Sequence, residues 1–165
     1  MAKVKRTYHA NSELRSEYFT INGKMEGEFK SYYRNGELYR ICSYTNGKIN
    51  GEYKQYYENR QLWQIYSCLN DMKNGEYKAY YPGGLLMVIY LYCNDQKNGE
   101  CKEYNSNGHL QACCLYCNDK IINGEYKQYY LNGQIYKSWL VTNGKKNGEE
   151  NTYLSDGQLK ESRFV

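Results

Sequence analysis

The 165-residue sequence predicts an all-β chain folded as an elongated single-layer antiparallel meander of tandem hairpins. Three observations lead there. Gly-Glu pairs begin at Gly27, Gly51, Gly75, Gly99, Gly124 and Gly148, at spacings of 24, 24, 24, 25 and 24 residues, and a fixed period of this length marks a repeat architecture. Counting from those starts, and from a degenerate start at Lys3, the fifth following residue is Tyr in every repeat: Tyr8, Tyr32, Tyr56, Tyr80, Tyr104, Tyr129 and Tyr153. The eleventh is Leu14, Leu38, Leu62, Leu86, Leu110, Ile135 and Leu159. Finally, turn-forming residues recur twice per repeat, and Gly or Asn interrupts the chain too often for a helix of three turns.

The elements follow in order from these columns. The repeat at Lys3 lacks the opening glycine, as terminal repeats often do. The repeats at Gly27, Gly99, Gly124 and Gly148 carry Asn35-Gly36, Asn107-Gly108, Asn132-Gly133 and Asp156-Gly157. Such dipeptides accept the two positive φ angles of a two-residue type I′ turn. The repeats at Gly51 and Gly75 depart from this with Asn59-Arg60 and Gly83-Gly84. A second, looser reversal is expected before each following Gly-Glu, as in Asn46-Gly47-Lys48-Ile49-Asn50 and Asn70-Asp71-Met72-Lys73-Asn74. The extra residue at Ile121 or Ile122 falls in such a looser turn, where it disturbs no strand register. The runs between turns are rich in Tyr, Ile and Thr, as strands are. The expectation is therefore about fourteen strands in a single repeat domain over 1–165, with repeats starting near 3, 27, 51, 75, 99, 124 and 148.

A two-residue turn at Asn-Gly fixes which side chains face each other. One face pairs Tyr33 with Leu38, Tyr57 with Leu62, Tyr81 with Leu86 and Tyr130 with Ile135. Deeper on the same face come Phe29 with Cys42, Tyr53 with Tyr66, Tyr77 with Tyr90 and Tyr126 with Trp139. The opposite face holds the invariant Tyr column beside Tyr39, Trp63, Met87, Gln111, Tyr136 and Lys160. It also carries Glu28 through Glu149 and the lysines Lys30, Lys54, Lys78, Lys102 and Lys127, which make it the wetter face. Two strands at about 4.8 Å make each repeat about 10 Å wide. A single layer with rings along one face leaves an apolar surface that needs cover, from its own curl or from a partner.

Composition narrows the function. The 22 Tyr supply much of the 41% hydrophobic share, so burial rests on rings that each carry a hydroxyl. The net charge of +4 is small and diffuse, and no arginine-rich groove accompanies the rings, which argues against nucleic acid. No run approaches the length of a membrane span, and the first residues lack a secretory core, so the expected location is cytoplasmic.

The seven Cys are uneven in spacing and read as reduced thiols. Cys114 and Cys117 form a C-x-x-C, but residues three apart in a strand point to opposite faces, and no second pair completes a metal site. Cys101 and Cys114 are expected to face each other, either as a compensated pair of thiols or as a cross-strand disulfide. His9 and His109 lie four repeats apart and share no site; no phosphate loop or nucleophile motif is present. The expectation is no catalytic residue, no metal, no cofactor and no small-molecule substrate.

The repeat G-E-Y-K-x-Y-Y-x-N-G-x-L, followed by Y-x-N-G-K-x-N, resembles the MORN repeat, in the variant common in bacterial YwqK-type antitoxins and large DNA viruses. The resemblance spans residues 3 to 165, with intact segments at Asn50 to Lys54, Asn74 to Lys78 and Asn123 to Lys127. Cys101, Asn105 and Glu150 depart from it. It implies an elongated sheet of hairpins, often self-associating, that acts as a scaffold for other proteins. On this reading the chain is a non-catalytic protein-interaction or assembly module, with protein partners or a second copy as ligand. An abundance of Lys, Asn and Tyr is the composition of an AT-rich coding sequence, compatible with a large DNA virus or an AT-rich bacterium; in the viral case the expectation is a structural or host-interaction protein in host cytoplasm or virion. The alternatives are a YwqK-like antitoxin and a peripheral lipid binder. The expected anchors are Tyr53, Tyr57, Trp63, Tyr66, Tyr77, Tyr81, Tyr90, Tyr126, Tyr130 and Trp139, because large rings dominate interface energy.

Overall fold

The structure, a computed structural model, describes residues 1–122 and 124–165; Asn123, which opens one of the intact repeat segments, lies outside the described residues. Among those residues there are sixteen strands and no helix, so the all-β antiparallel hairpin meander is the observed fold class. It is built as two compact units, Met1–Gly84 and Leu85–Val165.

The first unit contains β1 (Ala2–Tyr8), β2 (Leu14–Ile21), β3 (Lys24–Tyr32), β4 (Leu38–Thr45), β5 (Lys48–Tyr56), β6 (Leu62–Leu69) and β7 (Met72–Tyr80). Each pairs antiparallel with the next, so chain order is spatial order. The second unit contains β8 (Leu86–Cys93), β9 (Gln96–Lys97), β10 (Gly99–Tyr104), β11 (Leu110–Cys117), β12 (Lys120–Ile121), β13 (Gly124–Tyr129), β14 (Ile135–Thr142), β15 (Lys145–Tyr153) and β16 (Leu159–Phe164). Its path runs β8-β10-β11-β13-β14-β15-β16, with β9 against β8 and β12 against β11.

The two turns of each repeat exchange the roles expected of them. At Asn35-Gly36 the loop is not a two-residue type I′ turn. The Tyr33 amide donates to the Glu37 carbonyl at 2.8 Å and the Gly36 amide to the Tyr33 carbonyl at 3.1 Å, enclosing three residues. Gly36 takes a φ of 82°, while Asn35 keeps an ordinary backbone and accepts the Glu37 amide on Oδ1 at 3.0 Å. This is a turn followed by one left-handed residue, the usual three-residue hairpin loop. Arg60 fills the left-handed position in the next repeat at φ 69°, and its guanidinium reaches Glu37 in two contacts, 2.6 and 2.7 Å. The tight turn is the other one. Asn46 and Gly47 have φ of 53° and 82° between the paired Thr45 and Lys48, a type I′ turn. Asn70-Asp71, Asn94-Asp95, Asn118-Asp119 and Asn143-Gly144 do the same, all four with both φ positive.

The opening glycines of the repeat are left-handed too. Gly51 has φ 99°, and the register around it slips between the pairs Cys42–Tyr53 and Tyr44–Ile49, so a Gly bulge precedes each long run of pairing. A Cβ at Gly51 would meet nothing within 4 Å. Gly51→Ala therefore isolates the backbone cost and is expected to destabilise the first unit by about 1 kcal/mol, seen as a lower urea midpoint with unchanged slope.

Register within the hairpins matches the expected pairs: Phe29 opposes Cys42, Tyr53 opposes Tyr66, and Tyr126 opposes Trp139. Nearer the loop it does not. Leu38 opposes Tyr32 rather than Tyr33, Leu62 opposes Tyr56 rather than Tyr57, and Ile135 opposes Tyr129 rather than Tyr130. The three-residue loop leaves one extra residue on the returning strand, and the resulting bulge carries the Leu column to the charged face. There Leu62 shares a shallow depression with Glu52, Lys78 and Tyr80.

Candidate interaction surface

The bulge brings the ring face together. Tyr39, Trp63 and Tyr136 were expected beside the invariant Tyr column on the charged face. Instead they swing across and pack on the tyrosine that opens each loop. Ring centroids lie 4.9 Å apart for Tyr33–Tyr39, 5.8 Å for Tyr57–Trp63 and 5.1 Å for Tyr130–Tyr136. Trp63 thus belongs to the ring face of the first unit, packed on Tyr57.

Their hydroxyls are committed within the protein. Tyr33 donates to the Tyr56 carbonyl at 2.7 Å, Tyr57 to Tyr80 at 2.8 Å and Tyr130 to Tyr153 at 2.7 Å. Each bond ties one repeat to the backbone of the next. In the first repeat His9 Nε2 meets the Tyr32 carbonyl in the same way at 3.0 Å. The loop asparagines add a parallel row, Asn59 Nδ2 to the Pro82 carbonyl and Asn132 Nδ2 to Ser155, both 2.9 Å. These contacts satisfy loop carbonyls that would otherwise compete for water, and they fix the rings in place. Tyr81 is half-buried at the start of its loop, whose Gly84 amide donates to the Tyr81 carbonyl at 2.8 Å.

Deeper on the face of the first unit, Tyr53, Tyr66 and Tyr77 form one stack across β5, β6 and β7, with centroid separations of 4.5 and 5.7 Å. Tyr53 is buried with Phe29 and Cys42, against which Tyr18, Met25, Tyr44, Ile49 and Tyr66 pack. The stack's polar ends are met by Gln55 and Gln64: Tyr53 donates to Gln55 Oε1 at 3.3 Å and Tyr77 to Gln64 Oε1 at 2.8 Å. In the second unit Tyr126 stacks on Trp139 at 4.2 Å, and Lys146 sits 4.2 Å above the Trp139 ring. Tyr90 meets Tyr92 and Tyr116 edge-on, with Lys97 3.6 Å from its ring centre. Burial pushes the hydroxyls of Tyr66, Tyr90 and Tyr116 well above the ordinary phenol range, and Cys42 up to about 11. The rings therefore stay neutral at any physiological pH. Tyr39, Tyr116 and Tyr136 are not among the expected anchors; Tyr39 and Tyr136 join Trp63 in a second column of rings that only the bulge makes visible.

In each unit the opposite face is salt-bridged along its strands. Glu28–Lys30, Glu52–Lys54 and Glu76–Lys78 contact at 2.5 Å, Glu125–Lys127 at 2.7 Å and Glu100–Lys102 at 3.0 Å. Exposed pairs of this kind add little stability, but they leave the face solvated. The expected pair Cys101–Cys114 does oppose across β10 and β11, with both side chains buried as free thiols. The hydrogen bond that Cys101 donates to Cys114, together with burial, pushes the Cys101 thiol upward, and the same bond pulls the Cys114 thiol down. Among the described residues no group of three or more His, Cys, Asp or Glu is placed to hold a metal ion. No helix among them is long and apolar enough to cross a membrane.

Comparison with known proteins adds the family. The family profile described as "MORN repeat variant" matches residues 25–46, 73–94, 97–118 and 122–143, together more than half of the chain. A search of curated proteins gives no match. Among solved structures the chain is similar to part of one titled "Crystal Structure of TcdB2-TccC3-Cdc42", at 12% identity and a TM-score of 0.26. That alignment covers 93% of this chain and 13% of the other.

Proposed function

Because this chain belongs to the MORN repeat variant family, a non-catalytic repeat type commonly used for protein or membrane interaction, we propose that it is a protein-interaction scaffold whose ring face takes the partner. The observation that carries this reading is the double column of rings. The deeper rings are stacked, the loop-opening Tyr33, Tyr57 and Tyr130 are clamped by hydroxyl bonds to the next repeat, the outer rings Tyr39, Trp63 and Tyr136 pack on them, and the charged face is neutralised by its own salt bridges. Rings held in one conformation lose little entropy on binding, and half-exposed aromatic surface is the usual source of binding energy. A protein partner is favoured over a lipid surface because the lysines of the wet face are already paired.

The outer column gives the cleanest test. Its position holds Arg15, Met87, Gln111 and Lys160 in other repeats, so the fold accepts change there, and Tyr136 is 41% exposed. The double variant Trp63→Ser/Tyr136→Ser is expected to keep its circular dichroism spectrum and lose at least about tenfold in affinity for proteins captured from its native source. Reversal of the Glu52–Lys54 pair serves as the control on the other face and should bind as the parent does. Capture that survives the ring changes but not the charge reversal would move the binding surface to the wet face.

A further inference from the structure

A row of polar side chains crosses the first unit beneath its rings. Thr7, Ser16, Ser31, Arg40, Gln55 and Gln64 are successive cross-strand partners from β1 to β6. Most of the row is internally satisfied. Thr7 and Ser16 share a hydrogen bond of 2.6 Å, and Gln64 Nε2 donates to Gln55 Oε1 at 2.6 Å. The middle is not. Ser31 Oγ and Arg40 Nε, on directly opposed residues, are the only buried side-chain polar atoms among the described residues with no hydrogen-bond partner. Ser31 is only 9% exposed, and native proteins rarely leave such groups unmatched.

Both residues line a groove of about 800 Å³, within the range of sites that take organic ligands. Its walls include Tyr18, Phe29, Tyr33 and Tyr39, too much apolar surface for a bare ion. Its charge is one-sided: Arg15, Arg34 and Arg40 against Glu58. None of these four side chains takes part in an ion pair among the described residues. Arg40 Nε can only donate, so what it lacks is an acceptor, and with the Arg15 and Arg34 guanidinium groups lining the same groove the fitting acceptor is anionic. The Arg40 guanidinium rests 4.6 Å above the Phe29 ring and interacts with the Tyr53 hydroxyl, contacts with neutral groups that are weaker than a hydrogen bond to a carboxylate, so an arriving carboxylate can compete for its free Nε.

We propose that this groove is an acidic-peptide site: an apolar partner side chain lies among Tyr18, Tyr33 and Tyr39 while an adjacent Asp or Glu carboxylate accepts from Arg40 and Ser31. The proposal rests on the protein-interaction reading above and names the chemistry of the partner at one end of that surface.

The test uses the full chain and a blocked pentapeptide, acetyl-Gly-Phe-Asp-Phe-Gly-amide, against its Asn counterpart, followed by calorimetry and amide chemical shifts. The Asp peptide should bind about tenfold tighter, weaken with salt, and shift resonances around Ser31, Arg40 and Tyr39. Arg40→Gln should abolish the preference and Arg40→Lys should retain part of it. Because Arg40 touches the core ring Phe29, the exposed Arg15→Gln provides a second variant, expected to lose a few-fold without affecting the fold. Equal binding of the two peptides overturns the proposal. So does Arg40-dependent binding of inorganic phosphate, or of phosphatidylcholine vesicles containing phosphatidylserine, in place of the Asp peptide. Peptide failure with capture still lost in Trp63→Ser/Tyr136→Ser would sink this site alone; peptide binding with capture unchanged in that variant would sink the broader surface.

Discussion

Replacing Glu150 with Gln is expected to cost the second unit about 2 kcal/mol at neutral pH. Glu150 stands where other repeats place a ring or Cys101, opposite Trp139 on β14. Its carboxylate is almost wholly shielded, at 1% side-chain exposure, by three cations. Lys146 contacts one oxygen; Lys137 reaches the other at 2.9 Å and Arg163 does so at 2.6 Å. The cover consists of the arms of basic side chains rather than packed core, so desolvation is modest and attraction wins. The hydrogen bonds from Lys146 and Lys137, with Arg163 adding to them, pull the carboxyl down to about 2. An unfolded Glu titrates near 4.3. As pH falls the unfolded chain takes up this proton first. The stabilisation is therefore complete above about pH 4.5 and drains away as pH drops toward 2. Urea titrations at several pH values should show this loss in the parent and a flatter profile in the Gln variant; an equally steep profile in both would assign the acid sensitivity elsewhere.

Tyr53→Ala is expected to be the most damaging single change in the first unit, at roughly 3 kcal/mol or more. Tyr53 belongs to the buried cluster with Phe29 and Cys42, stacks on Tyr66 at 4.5 Å and lies 5.9 Å from the Arg40 guanidinium. In so thin a core no second layer can move in to fill the space. Tyr53→Phe keeps the ring and removes a hydroxyl that makes a long hydrogen bond to Gln55, 3.3 Å, and interacts with Arg40 and Tyr66, so it should cost about 1 kcal/mol. Thermal melts of the two variants separate ring packing from the hydroxyl. Similar losses in both would mean that the polar row, rather than the stack, holds this region together.

How far the sequence could be read depended on what kind of interaction set each feature. The columns at fixed period located the strands, and the pairs Phe29–Cys42, Tyr53–Tyr66 and Tyr126–Trp139 came from counting alone. The two turn types read in reverse from the sequence because Asn-Gly serves both loop types. The distinguishing signal was there: Arg60 takes the place of Gly in one loop, so only one residue of that dipeptide must be left-handed. By contrast Asn46-Gly47 and Asn70-Asp71 present two tolerant residues together. The internal use of the Tyr33, Tyr57 and Tyr130 hydroxyls was not legible, because each bond is to a backbone carbonyl in the next repeat. A carbonyl has no residue type to betray it.

By itself the sequence determined the period, the antiparallel pairing within hairpins and the wealth of rings, since these follow from side-chain alternation and local backbone preference. Tertiary structure alone decided which rings share a face. A single bulged residue beside each loop reverses the alternation beyond it, sending Leu62 to the salt bridges and Trp63 to the tyrosines. The choice between loop geometries turned on hydrogen bonds closed across strands. The same holds for Ser31 and Arg40, ordinary residues in the chain that become a pair of buried, unsatisfied polar groups only when β3 lies against β4.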